Sequence, residues 1–181
     1  MFARFGAAFG PPVYNGCRTA MMRRILLVSS AALLAAFAQK YSGPRPEKPD
    51  LPYIKHADHL VATEVAAAKQ STAKNQTLYV IEGASSTAKT PLALPVFLLL
   101  ADKLDPHRLG LYRLETKENQ RDMSVAANEK PEAIRLEVKR LDGNLYWIEV
   151  GDGLDPGEYA MIPEGSGANG GTAQAFCFAV F

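Results

Sequence analysis

From residue 78 onward the chain alternates short apolar runs, rich in Val, Leu, Ile, Tyr and Phe, with clusters of Gly, Pro, Asn and Asp. The breaks recur about every ten residues, the spacing of strands joined by turns. The runs are Leu78–Glu82, Pro95–Ala101, Leu109–Thr116, Arg121–Ala126, Ala133–Leu141, Leu145–Val150, Glu158–Ile162 and Ala173–Phe181. No long amphipathic helix separates them, so the pattern predicts an all-β fold, a single antiparallel β-sandwich of about eight strands spanning residues 58–181. Asp58–Ser71 (DHLVATEVAAAKQS) is ambiguous: its alanines favour helix, while Leu60, Ala62, Glu64 and Ala66 fit alternation, and an opening strand is the preferred reading. The last run is apolar on both faces, as a central strand is.

The hairpin around Asp142-Gly143 allows two registers. A two-residue turn pairs Leu141 with Asn144 and buries Trp147, whereas a three-residue loop pairs Leu141 with Leu145 and turns Trp147 outward with Arg135, Glu137, Lys139 and Glu149. The second separates apolar from polar residues better, at the cost of setting Glu137 opposite Glu149. Burial of one more apolar side chain outweighs that exposed repulsion, so the three-residue loop is preferred.

Leu154-Asp155-Pro156-Gly157-Glu158-Tyr159-Ala160-Met161 forms a Pro-Gly turn feeding a strand. With the final run, this PGEY segment resembles the closing hairpin of Ig-like and transthyretin-like modules, and is similar to small exported bacterial proteins of unknown function. The resemblance covers roughly the last 30 residues. It implies a sandwich and carries over no catalytic residue.

Charge divides the chain. All 19 acidic residues follow residue 38, and before it stand only Arg4, Arg18, Arg23 and Arg24. Arg23-Arg24, the apolar Ile25–Ala35 and Ala36-Phe37-Ala38 have the order of a secretory signal with an A-x-A cleavage site, so residues 21–38 are expected to be a signal peptide. As an anchor, the uncharged Ile25–Gln39 stretch has 15 residues against the ~20 a spanning helix needs. Residues 1–20 lack any period and are read as a non-native extension, with translation starting at Met21 or Met22. Ser42–Pro52, with four prolines, favours extended polyproline geometry, and residues 39–57 are expected to be a Pro-rich linker. The remaining chain, 39–181, holds 16 basic and 19 acidic residues, and that mildly acidic balance argues against a nucleic-acid partner. Cys17 precedes the signal, which leaves Cys177 as the single thiol of a mature chain and a small buried hydrophobe.

Candidate chemistry is sparse. His56, Asp58 and His59 offer three metal-ligand types in four residues, but extended chain sends the histidines to opposite sides, so no metal site is expected. His107, in Asp105-Pro106-His107-Arg108, reads as a solvated turn residue. Gly83-Ala84-Ser85-Ser86-Thr87 supplies hydroxyls without the second glycine of a nucleophile elbow. Gly165–Gly170 matches G-x-G-x-x-G by letters alone, since a strand follows it. No cofactor is implied. The remaining lead is aromatic: an outward Trp147 beside Lys139, with Tyr112 or Tyr159 near, suits stacking on a sugar ring or docking a partner. These observations favour an exported, non-enzymatic β-sandwich module in the periplasm or at the cell surface, binding a partner protein or glycan and holding no membrane span once the signal is removed. The alternatives are a small outer-membrane β-barrel and a secreted hydrolase.

Overall fold

The computed structural model of the chain describes residues 41–73, 76–126, 132–166 and 171–181. The expected extension and signal, and residues 167–170 of the Gly165–Gly170 match, lie outside them. The strands are β1 (Tyr53–His56), β2 (His59–Ala62), β3 (Glu64–Ala73), β4 (Gln76–Glu82), β5 (Lys89–Thr90), β6 (Val96–Leu100), β7 (Leu109–Lys117), β8 (Gln120–Ala126), β9 (Leu136–Asp142), β10 (Leu145–Val150), β11 (Gly157–Pro163) and β12 (Thr172–Val180). Each of the eight apolar runs coincides with one of them. Asp58–Ser71 is extended, but breaks at buried Thr63, whose amide and hydroxyl both donate to the Pro52 carbonyl.

Five strands form one antiparallel sheet in the order β2-β1-β6-β10-β9. The others run β11-β7-β8-β4-β3-β12-β5, and β11 also pairs with β12. That last pairing closes β11, β7, β8, β4, β3 and β12 into a six-stranded barrel, with β5 a short parallel addition to β12. The fold is all-β as expected, but its second sheet is a barrel and not the open layer of a sandwich.

The reason lies in side-chain size. A barrel's width falls with strand number, so six strands leave room inside only for small residues on several walls. Ala66 and Ala68 of β3, Ala160 of β11, and Ala173, Ala175 and Cys177 of β12 supply them, beside Ile81, Leu114 and Ile162. The opposite faces of the same strands carry Leu109, Leu111, Tyr159, Met161, Phe176, Phe178 and Val180, which pack against Ile54, Phe97, Leu99, Ile148 and Val150 of the five-stranded sheet. Phe178 sits between Tyr159, stacked at 5.5 Å, and Phe97, edge-on at 5.0 Å. Thus β12 separates two cores: small residues line the barrel and large ones face the sheet.

The preferred hairpin register is present from Tyr146 onward: Val138 pairs with Ile148, Lys139 with Trp147, and Glu137 with Glu149. The expected Leu141–Leu145 pair is replaced by Asp142–Leu145 with an adjacent bulge, because Gly143 adopts φ 56° and tightens the turn to Gly143-Asn144. The like-charge cost is relieved locally, since Lys139 bonds Glu149 at 2.8 Å and Arg135 bonds Glu137 at 3.3 Å.

The Pro-rich segment is not a free spacer to residue 57. Its end is β1, and Asp50 holds the preceding loop by accepting from the amides of Asp102, Lys103 and Leu104 while donating its own amide to Leu100. Burial alone would raise the Asp50 pKa, but those three amides outweigh it and lower it. Arg45 pairs with Asp142, and Lys48 donates its amide to the Tyr53 hydroxyl.

Closure by small residues makes a paired test. Ala68, fully buried in the barrel, alternates with exposed Ala67. Ala68→Leu overfills the interior and lowers stability by about 1–3 kcal/mol, whereas Ala67→Leu stays within about 0.5 kcal/mol, as read by urea denaturation.

Candidate functional site

Glu158 precedes Ala160 and Ile162 on the inward face of β11, Glu64 precedes Ala66 and Ala68 on β3, and Arg121 precedes Met123 on β8. Strand alternation therefore sends all three charges into one end of the barrel. The Arg121 side chain is 1% exposed; its Nη2 donates to Glu64 Oε1 at 2.7 Å and its Nη1 lies 3.5 Å from Glu158 Oε2. Its Nε donates to the Gly83 carbonyl at 2.9 Å and Nη2 also to the Glu82 carbonyl. One guanidinium does not neutralise two carboxylates, and the Gly83–Ala88 loop supplies the remaining donors. Ser85 Oγ and the Ser86 amide donate to Glu158 at 2.7 and 2.9 Å, and the Thr87 amide donates to Glu64 at 2.7 Å. Burial pushes the Glu64 pKa upward, but the Arg121 and Thr87 hydrogen bonds outweigh it and hold the carboxyl below its usual value. Burial pushes the neighbouring Cys177 thiol up to about 12, so it is neutral and unreactive.

Among the described residues, no side chain fills the other end of the barrel. A cavity of about 510 Å³ lies there, with Tyr79, Tyr112, Met123 and Ile162 as inner walls and Arg108, Glu164 and Ser166 at the lip. Gly110 makes room for the Tyr112 ring: a Cβ at 110 would lie 2.4 Å from the Tyr112 hydroxyl. Burial raises the Tyr112 pKa, and Glu164 and Tyr79 raise it further, so its phenol stays a donor. Arg108 Nη2 donates to the Glu164 carbonyl at 3.0 Å, and among the described residues neither side chain joins an ion pair.

The aromatic residues singled out in the sequence do not gather. Trp147 is half-buried on the outer face of the five-stranded sheet, opposite Lys139, with its Nε1 donating to Glu149 at 2.8 Å and Lys55 5.8 Å above its ring. Tyr112 belongs to the barrel mouth. Tyr159 is buried between the two sheets, its hydroxyl donating to the Asp155 carbonyl at 2.7 Å.

His56 and His59 are not on opposite sides. A two-residue turn through Ala57 (φ 46°) and Asp58 makes them cross-strand partners, with rings stacked at 5.4 Å. Burial, then the neighbouring His59, lowers the His56 pKa. Among the described residues no three His, Cys, Asp or Glu side chains converge as a metal site would require. Ser85 bonds Glu158 and the Ser86 carbonyl, and Ser86 is buried with its hydroxyl accepting from the Ala88 amide. His107 lies edge-on to Tyr146 at 6.2 Å.

Arg121, Glu64 and Glu158 carry no role in the sequence reading, since Arg121 and Glu158 stand at the polar starts of their runs and Glu64 is one position in the alternation of Asp58–Ser71. The available signal was parity: each occupies the position that its neighbours' alternation assigns to the interior.

The charge cluster makes two measurable demands. Arg121→Met leaves the buried Glu158 and the half-buried Glu64 without their cation and costs about 3 kcal/mol in chemical denaturation. Because the folded-state pKa of Glu64 is depressed, its stabilisation is complete above the unfolded-state pKa and fades as pH falls through the folded one. Glu64→Gln therefore shallows the acid limb of the stability–pH curve and leaves the slope near neutrality unchanged. Comparison with known protein families, curated proteins and solved structures finds no match to this chain.

Proposed function

We propose that this chain is an exported, non-enzymatic binding module whose recognition element is the mouth of its barrel. The observation that carries the reading is the asymmetry of the barrel: Arg121, Glu64 and Glu158 fill one end, and toward the other the described residues leave a cavity walled by Tyr79, Tyr112, Met123 and Ile162. A concave site of that size, mostly apolar with a few polar groups at the lip, is the usual form of a small-ligand site. The binding reading thereby moves from Trp147 and Lys139 to the barrel.

The hydrolase alternative is less supported, since Ser85 and Ser86 serve the charge cluster and Ser85 has no histidine among its hydrogen-bond partners. Barrel closure lends some weight to a membrane barrel. Against it, the buried apolar residues of this barrel point inward or toward the second sheet, and the exposed Val65 of β3 does not by itself make the outward apolar band of a spanning barrel. Export rests on the Arg23-Arg24, Ile25–Ala35 and Ala36-Phe37-Ala38 sequence.

Two experiments test the two parts. Expressed in a bacterial host from its own signal, the protein is expected in the detergent-free soluble fraction with Gln39 as its first residue by N-terminal sequencing; an uncleaved or membrane-retained chain would refute export. The uncharged dye Nile red is expected to bind the folded full chain saturably, and exposed Ala133 at the lip gives the control. Ala133→Trp obstructs the mouth and abolishes that binding, whereas unchanged binding in this variant places the site elsewhere.

A further inference from the structure

The lip and walls of the mouth constrain what fits. Arg108 brings fixed donors, Glu164 fixed acceptors, and Tyr112 a phenol held in its protonated form, so donors and acceptors alternate around one cavity. A ligand bearing only acceptors, such as a carboxylate or phosphate, meets Arg108 favourably and Glu164 unfavourably. A cation meets the reverse. Hydroxyl groups both donate and accept, and so match a mixed set without a charge of their own. Inside the lip, Tyr79 and Tyr112 present aromatic surface, and Met123 and Ile162 aliphatic surface, suited to the C–H face of a pyranose ring. The cavity of about 510 Å³ lies within the range of small-molecule sites and has room for the end of a chain whose remainder leaves through the mouth.

We infer that the barrel mouth binds the terminal residues of a neutral glycan, with Tyr112 as the ring platform and Arg108 and Glu164 as the hydroxyl partners. The inference rests on the reading of the mouth as the binding site and adds the class of ligand. It also gives Gly110 a role: any side chain there displaces the Tyr112 ring that the sugar stacks on.

The test is an array carrying neutral and acidic glycans, probed with the full chain and with three variants. Neutral ends are expected to be retained, and Tyr112→Ala to weaken them at least about tenfold, the loss typical of a truncated aromatic anchor. Tyr112 is largely buried, so the exposed Arg108→Ala provides the same readout without disturbing the core, and Gly110→Ala tests the ring position directly. Arg108→Ala is expected to weaken neutral-glycan binding with the urea midpoint near that of the parent, whereas Gly110→Ala, which crowds a buried ring, is expected to weaken it with a lowered midpoint. Preference for acidic glycans, or retention of neutral ones unaffected by Arg108→Ala and Gly110→Ala, overturns the inference. If no glycan is held while Nile red still binds in a manner that Ala133→Trp abolishes, the ligand class is wrong and the binding site stands. If neither Nile red nor any glycan binds, both fail.

Discussion

The structure depends on one strand with two different apolar faces. β12 places Ala173, Ala175 and Cys177 inside the barrel and Phe176, Phe178 and Val180 against the five-stranded sheet. Neither set can be exchanged for the other. Aromatic rings inside would hold the six strands apart, and alanines outside would leave the inter-sheet space unfilled, with a penalty that grows with cavity volume. Because β12 pairs with β3 on one side and β11 on the other, it also closes the barrel. One nine-residue strand thus joins the two cores and removes the free edges that β11 and β12 would otherwise present.

Closure creates two ends with different chemistry. At one end, the interior parity of Glu64, Arg121 and Glu158 fills the space with a guanidinium and two carboxylates, satisfied by the Gly83–Ala88 loop. A buried ion cluster of this kind contributes little net stability over an apolar replacement. Its consequence is positional: it fixes the loop that leads into β5 and blocks passage through the barrel. At the other end the charged Arg108 and Glu164 stand at the lip and not in the interior, and the described residues leave a cavity between the walls. The shape that suggests binding is therefore a product of where charges fall along three strands.

Much of the fold was legible in the sequence because strand periodicity is local. The eight runs, the two-faced final strand and the outward Trp147 all follow from alternation and turn chemistry. Barrel closure was not legible, since it depends on β11 meeting β12 after the intervening strands have curved. The clue was present in the alanines of Glu64–Ala73, but alanine content argues equally for helix when the neighbours are unknown. The site was less legible than the fold. Tyr112 was singled out for an exposed surface and lies in the mouth, while Tyr159, with a similar local sequence context, belongs to the inter-sheet core. His56 and His59 were separated by assuming continuous extended chain, and a turn at Ala57-Asp58 brought them together. In each case the sequence specified the side chain and its parity, and a long-range or turn contact decided what faced it.

Amide hydrogen exchange across β11 and β12, followed by NMR on the folded protein, tests closure most directly. In a closed barrel both strands are hydrogen-bonded on both sides, so the amides of Tyr159–Met161 and Phe176–Phe178 exchange only through global unfolding and share one free energy of opening. Fast exchange along either strand, at rates typical of a sheet edge, would mean that the second sheet is open. That result would contradict the barrel, and with it the plugged end and the mouth.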